Sequence, residues 1–379
     1  AMGCGWPAGL SVEVGEDWPS GGYVAAFTAA TANGDPLVAH HVFVVRRAPS
    51  APPAPILFIA STSTWIAYND WGGSNHYEGL CGPGGNEASP VLSIERPWTR
   101  GFAWLPAGAP RIPLRNAPAL GAALRYPHME WAYANGYSKK YASAGWASYD
   151  RHFIRWADAA GITVDAATQH DLHFDQALLD GYRAVVIVGH DEYWSWQMRD
   201  AIDRFVEGGG NVARFAGNFL WQARLEDGGR RQVCHKYRAR DTDPIARDAS
   251  RRHLLTTTWE AAEIGRPGVS TFGLNALKGL YAGWGGCAPR GAGGFTVYRP
   301  RHWAFAGADL YYGDILGASS RLLGYEVDGL DYEMADGLPY PAATAGAPAG
   351  LEILAMGAAT LTEEDHGHRG VDTFIGEED

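Results

Sequence analysis

The chain has 379 residues, 46% of them hydrophobic, which is enough for a large core in one big domain or two. Its formal net charge of −11 argues against binding to nucleic acid, because that affinity comes mostly from Lys and Arg. No stretch approaches the roughly 20 consecutive apolar residues of a membrane span. Four scattered cysteines without a CxxC pair indicate neither a structural zinc site nor a disulfide framework.

The first 50 residues predict an N-terminal β extension. Three short stretches alternate or run apolar between turn residues, and we expect strands at Ser11–Val14, Tyr23–Phe27 and His41–Val45. The Pro-rich sequence APSAPPAP that follows marks the entry to a main domain over residues 51–379.

The main domain is predicted to be α/β, with a mostly parallel sheet flanked by helices. A buried strand at Ile56–Ala60 leads into an aromatic, Gly-rich loop at Ser61–Gly85. Residues 162–218 then follow a β-α-β-α-β pattern, in which Ser195 is the expected N-cap of the second helix. In such sheets ligands bind at the carboxyl ends of the strands.

Outside this pattern the expectations are coarser. A helix is expected over 148–160, and an Arg/Asp-rich stretch indicates a surface excursion near 225–295. Further strands are predicted at Phe295–Tyr298, Leu322–Val327 and Leu351–Met356.

In VVIVGHDEYWS the apolar strand is followed by the ionisable residues His190, Asp191 and Glu192, and Asn218 follows the next strand. No Ser or Cys occupies the position of a nucleophile elbow. Oxygen ligands suit a hard trivalent cation, and Tyr68 and Tyr77 supply phenols after the Ile56–Ala60 strand.

Each of these residues also has a structural interpretation. The acids would cap the following helix, His190 would be a buried, hydrogen-bonded histidine, Asn218 a turn residue, and the tyrosines would pack in the core. The pair His366 and His368 near the C-terminus is a weaker metal candidate, since such pairs are usually solvated loops.

Six motifs, in this order, resemble the large-subunit family of N,N-dimethylformamidase: DWPSGGY, WIAYNDWGG, SIERPW, GHDEYWS, GGGNVARFAGN and GYEVDG. The resemblance runs from about Asp17 to about Met356. It implies a catalytic domain similar to class I glutamine amidotransferases, without their cysteine nucleophile. It also implies a mononuclear Fe(III) held by Tyr68, Tyr77 and Glu192, with His190, Asn218 and Glu326 as the polar residues of the site.

The function implied by this resemblance is metal-dependent hydrolysis of an amide or a related C–N bond in a small-molecule substrate. Two alternatives stay open: a metal-free carbohydrate-active enzyme that uses His190, Glu192 and Glu326, and a non-catalytic binding module.

The sequence leaves a homo-oligomer open and shows no small partner subunit. No basic-then-apolar leader is present, which favours the cytoplasm, although Ala1 before Met2 leaves room for a trimmed signal peptide.

Overall fold

A computed structural model describes most of the chain. The described residues are 3–34, 36–79, 87–111, 125–280, 294–317, 319–320, 322, 326–343, 346–357, 362–363 and 368–369. The chain divides into two compact units. Unit 1 comprises residues 1–112, 128–216 and 221–258, and unit 2 comprises residues 113–127, 217–220 and 259–379.

Unit 1 begins with an antiparallel hairpin. Its strands are β1 (Gly21–Ala30) and β2 (Pro36–Val45). They contain two of the three strands predicted for the N-terminal extension. The third prediction, at Ser11–Val14, is wrong, because this stretch is exposed and pairs with no strand among the described residues. An alternating polar and apolar sequence does not form a strand unless a neighbouring strand pairs with it. The domain boundary near residue 50 stays a prediction.

A four-stranded sheet forms the centre of unit 1. Its strands are β3 (Ile56–Ala60), β5 (Val164–Thr168), β6 (Ala184–His190) and β8 (Asn211–Gly217), in the spatial order β5-β3-β6-β8. Strand β3 runs parallel to both β5 and β6. Leu57 to Ala60 of β3 are buried, as are Val185 to Ile187 of β6. A mixed α/β fold with parallel strands is therefore confirmed.

Five helices accompany this sheet in the chain. They are α1 (Thr62–Tyr68), α2 (Pro127–Asn135), α3 (Asp150–Ala159), α4 (Gln169–Phe174) and α5 (Trp196–Glu207). Helix α5 begins as predicted, since the Ser195 hydroxyl accepts a hydrogen bond from the Met198 amide. Helix α1 corrects the prediction of a loop over Ser61–Gly85. All seven of its residues are buried, so its sequence carries no amphipathic period that would reveal a helix.

Shorter elements complete unit 1. They are β4 (Val91–Ser93), β7 (Tyr193–Trp194), β9 (Trp221–Gln222), β10 (Arg224–Glu226), β11 (Arg231–Val233) and α6 (Ala239–Thr242). Strands β7 and β9 pair in parallel, and β11 pairs with both β10 and β4. The Arg/Asp-rich stretch is thus only partly on the surface, because Gln232, Val233 and Cys234 are buried.

Unit 2 is built mainly from short strands. Its elements are α7 (Val269–Phe272), β12 (Asn275–Leu280), β13 (Phe295–Val297), β14 (Ile315–Leu316), β15 (Val327–Gly329), β16 (Tyr332–Ala335), β17 (Leu338–Pro341), β18 (Ala355–Gly357), β19 (Thr362–Glu363) and β20 (His368–Arg369). All of its described pairings are antiparallel. The predicted strands at Phe295 and Met356 are present, whereas half of the predicted strand Leu322–Val327 lies outside the described residues. In the part of the chain that the structure describes, no helix is long and apolar enough to cross a membrane.

A buried carboxyl at the start of α3 makes the stability of the fold depend on pH. Asp150 is 1% exposed, and its Oδ1 atom has no hydrogen-bond partner among the described residues. Burial, with a smaller contribution from the charge of Asp191, raises the pKa of Asp150 to about 7. The folded protein therefore retains this proton at pH values where the unfolded chain has released it.

We expect the free energy of unfolding to fall as the pH rises from about 4 to about 7, because over this range the unfolded chain releases the proton that the folded Asp150 carboxyl retains. The Asp150→Asn variant, which cannot ionise, should lose less stability over the same range. Urea denaturation at several pH values measures this slope. Asp158→Asn, an exposed change on the same helix, is the control and should keep the wild-type slope. An unchanged slope in Asp150→Asn would contradict the assignment.

Candidate active site

The carboxyl end of β6 brings His190 and Glu192 together inside unit 1. They are 5% and 2% exposed, and His190 Nε2 lies 3.4 Å from Glu192 Oε2. The strand turns at Gly189, whose φ of 83° suits glycine. A Cβ atom there would stand 2.6 Å from Cβ of Tyr149. A side chain at position 189 would therefore clash with Tyr149, and the turn that this glycine allows sets the positions of His190 and Glu192.

The Glu192 carboxylate is the centre of a buried hydrogen-bond network. The Tyr77 hydroxyl lies 2.8 Å from Oε1 and 2.6 Å from Oε2, and donates to the carboxylate. The Trp221 indole N–H donates to Oε1 at 2.7 Å. The Glu192 amide donates to the Thr64 hydroxyl at 2.9 Å, which anchors its backbone against α1. Glutamate and tyrosine thus meet although 115 residues separate them in the chain.

Tyr68 joins this network at the end of α1. Its ring centroid lies 4.4 Å from that of Tyr77 and 5.1 Å from that of His190. It is 6% exposed. The structure therefore brings together four of the six predicted site residues: Tyr68, Tyr77, His190 and Glu192.

Asn75 shapes the turn that carries Tyr77 back toward α1. Its side-chain oxygen accepts hydrogen bonds from the amides of Tyr77 and Glu78, both at 2.8 Å. Its side-chain nitrogen donates to the Tyr68 carbonyl at 3.2 Å. One asparagine thereby links the backbones of both tyrosines, as Asx turns commonly do in loops.

Arg96 holds the preceding part of the same loop. Its guanidinium donates to the carbonyls of Ser74 at 2.7 Å, Trp71 at 3.0 Å and Ile66 at 3.3 Å. Burial lowers the pKa of Arg96 to about 10, which still leaves it a cation at neutral pH. The arginine of the SIERPW motif is thus a structural support of the tyrosine loop.

Tyr193 adds a second phenol beside Tyr77. Its hydroxyl donates to the Tyr77 hydroxyl at 2.8 Å, and its ring stacks on His76 at 5.5 Å between centroids. Burial, together with the charge of Glu192, raises the pKa of the Tyr193 phenol well above its ordinary value. Tyr193 therefore stays protonated and acts as a hydrogen-bond donor.

Lys236 brings a positive charge to the same cluster. Its ammonium nitrogen lies 3.4 Å from the ring centroid of Tyr77 and 5.0 Å from that of Trp221, which are cation–π distances. Its backbone has φ of 56°, an uncommon conformation for lysine. Such backbone conformations persist where the surrounding structure holds them, and they concentrate at functional sites.

The tautomer of His190 follows from its second contact. His190 Nδ1 lies 2.7 Å from the Ser143 carbonyl oxygen, which can only accept a hydrogen bond. Nδ1 therefore carries a proton, and Nε2, on the side of Glu192, is the nitrogen that can gain or lose one.

The two other predicted residues, Asn218 and Glu326, lie in unit 2, where their segments are neighbours. A Cβ atom on Gly217 would stand 2.2 Å from the Glu326 carbonyl oxygen, so the two backbones are in close contact. The Phe219 amide also donates a hydrogen bond to Asp328 Oδ1 at 3.0 Å, which links the same two segments. Asn218 has φ of 65° and is 6% exposed, which agrees with a turn residue after β8.

The cluster in unit 1 has the donor chemistry of a hard metal ion. Two phenols and one carboxylate supply oxygen atoms, which a trivalent cation prefers over sulfur. The described residues include no group of three or more His, Cys, Asp or Glu side chains that could hold a metal. The other metal candidate is not described, since His366 lies outside the described residues.

Sequence reasoning missed three members of the cluster. They are Tyr193, Trp221 and Lys236, and the last of these falls in the stretch predicted to be a surface excursion. Tyr193 directly follows Glu192, so its closeness could have been inferred from the motif. The position of Lys236 has no local signal, because it depends on how a distant segment packs.

Comparison with known proteins agrees with the motifs. A family model described as N,N-dimethylformamidase beta subunit-like, C-terminal, matches residues 1–375. The chain belongs to this family. The N,N-dimethylformamidase beta subunit of Alcaligenes sp is 36% identical to this member over 73 residues, and that of Paracoccus aminophilus is 34% identical over 73 residues. Each alignment covers 19% of this chain and 10% of the relative's length.

Proposed function

We propose that this dimethylformamidase-like chain is a metal-dependent hydrolase of amide or related C–N bonds. The observation that carries the proposal is the partly buried contact of the Tyr77 hydroxyl with both oxygens of Glu192, beside Tyr68. Family membership supports amide hydrolysis, because the matched relatives are named dimethylformamidases.

Tyr68, Tyr77 and Glu192 would hold a mononuclear Fe(III). Two phenolates and a carboxylate carry three negative charges, which balance a ferric ion at a largely buried site. When bound, such an ion supplies Lewis acidity that polarises an amide carbonyl and acidifies water. The proton that Tyr77 now shares with Glu192 would leave when the metal enters.

His190 would move the proton in the reaction. The Ser143 carbonyl fixes its ring, so that Nε2 can take a proton from water and pass it to the leaving amine nitrogen. Water adds to the carbonyl carbon, the C–N bond breaks, and a carboxylic acid and an amine are released. Asn218 would donate a hydrogen bond to the carbonyl oxygen as charge develops there, and Glu326 would share the proton transfer.

The fold type of the catalytic body and its assembly with other chains are inferred from the family. It implies a fold of the glutamine amidotransferase type for the catalytic body. The word subunit in the relatives' names supports assembly with other chains. Small amides are the substrate class to test first, and the many tryptophans, 15 in the chain, favour including larger ones.

Iron content and colour test the metal site directly. Purified protein, loaded anaerobically with iron and exposed to air, should hold one iron per chain and show a visible tyrosinate-to-Fe(III) charge-transfer band. The Tyr68→Phe variant should lose both, because its ring stays but its oxygen ligand is gone. Tyr182→Phe, a tyrosine whose hydroxyl instead donates to Asp165 at 3.0 Å, should keep both.

Three outcomes would contradict the proposal. A wild-type protein that stays colourless and metal-free after loading would remove the iron site. Turnover of sugars that EDTA does not affect would favour the carbohydrate-active alternative. Ligand binding without turnover, unchanged in a Glu192 variant, would favour the binding module.

A further inference from the structure

Tyr77 is half-buried, and two close neighbours, Tyr193 and Lys236, contact it from different directions, while Lys140 lies farther off at 5.2 Å from its ring centroid. Tyr193 donates its hydroxyl proton to the Tyr77 oxygen at 2.8 Å. The Lys236 ammonium lies over the face of the Tyr77 ring, 3.4 Å from its centroid. Both groups stabilise negative charge on a phenolate, the first at the oxygen and the second through the π system.

We propose that Tyr193 and Lys236 are positioning residues that hold Tyr77 and weaken the electron donation of its phenolate to the bound metal. This inference rests on the proposed function, since it concerns the same site. Neither residue touches the reacting atoms in this scheme. Their effect is to make the metal a stronger Lewis acid than two ordinary tyrosinates and a carboxylate would.

The surrounding structure favours this role over simple packing. Tyr193 is fully buried, and β7, which carries it, pairs with β9, which carries Trp221. The same short ladder thus supplies both the donor to Tyr77 and the indole donor to Glu192. Groups next to metal ligands commonly orient them and tune the metal in this manner.

The conformation of Lys236 gives a second, independent argument. Its backbone φ of 56° is uncommon for a residue with a Cβ atom. The Lys236 amide donates to the Thr256 carbonyl at 2.9 Å, and the preceding His235 amide donates to the Thr256 hydroxyl at 2.9 Å. These bonds hold the backbone of Lys236 at the position from which its ammonium reaches the face of the Tyr77 ring.

Redox titration of the iron-loaded protein tests the inference without relying on activity. Removing either group makes Tyr77 a better donor, which stabilises the ferric ion over the ferrous ion. The Fe(III)/Fe(II) midpoint potential should therefore shift to more negative values in Tyr193→Phe and in Lys236→Met. Because the phenolate donor level rises, the charge-transfer absorption of Tyr77 should also move to longer wavelength.

Two further variants separate tuning from packing and from general charge loss. Lys236→Arg keeps the cation and should keep the wild-type potential. Lys139→Met removes a lysine that is paired with Glu78 at 2.7 Å, and it should leave the potential unchanged.

The failures can be told apart. A wild-type protein that takes up no iron overturns the proposed function, and this inference with it. An iron-loaded, coloured protein whose potential is the same in wild type, Tyr193→Phe and Lys236→Met overturns the inference alone. An equal shift in Lys139→Met would also overturn it, because the effect would then be general electrostatics.

Discussion

Replacing Glu192 by glutamine should strip the protein of iron and abolish amide hydrolysis. The amide side chain has the same shape, but it brings no negative charge, so the remaining two phenolates no longer balance a ferric ion. Glu192 is 2% exposed and accepts hydrogen bonds from both Tyr77 and Trp221, so water cannot easily replace it as a ligand. Iron per chain, measured by elemental analysis, should fall close to zero.

The Glu326→Gln variant is the matched comparison for Glu192→Gln. Glu326→Gln removes a carboxylate that is proposed to move protons and not to hold the metal. This variant should keep its iron and its colour, while the turnover rate falls by about 10²–10⁴-fold, the usual contribution of general acid–base catalysis. If Glu192→Gln retains a full complement of iron with an unchanged absorption band, Glu192 is not a ligand.

Replacing Asp191 by alanine should destabilise the protein more than any other single change discussed above. Asp191 is completely buried and pairs with the Arg214 guanidinium at 2.9 Å, which is itself 7% exposed. It also accepts hydrogen bonds from the side chains of Gln169 and Trp194, both at 2.9 Å. Removal leaves a buried guanidinium without its carboxylate, and breaking such a pair typically costs about 3–5 kcal/mol.

Chemical denaturation measures this loss as a change in the free energy of unfolding. Asp180→Ala, an exposed aspartate in the segment before β6, is the control, and its effect should stay within about 0.5 kcal/mol. A loss below about 1 kcal/mol in Asp191→Ala would show that the Asp191–Arg214 pair adds little to stability. In that case the Asp191–Arg214 pair would not be a main source of the stability of the fold around the candidate site.

The sequence was informative where function depends on a strand and its end. The apolar run before Gly189 predicted β6, and the alternation of strands and helices placed Glu192 at the ligand-binding edge of the sheet. The family resemblance implied that Tyr77 and Glu192 belong to one site, and their side chains lie 2.6 Å apart in the structure.

Other features were out of reach for physical reasons. Helix α1 is buried on all sides, so no polar face marked it as a helix. Lys236 lies in a charged stretch whose composition is typical of solvent-exposed chain, and its contact with Tyr77 depends on long-range packing. At Ser11–Val14, by contrast, a strand was predicted where none forms. The sequence alternates there, but no strand pairs with this stretch among the described residues.

The long separation between Tyr77 and Glu192 also bears on how the chain folds. Their hydrogen bonds close a loop of 115 residues, and Tyr193 and Tyr77 close one of 116. Contacts of this kind form only after most of the intervening chain has lost its conformational entropy, and they slow folding. Helix α5, by contrast, depends on its own cap and can form early. We therefore expect the candidate cluster to be among the last parts of unit 1 to assemble, so that a partly folded chain with helix α5 already formed would lack the site.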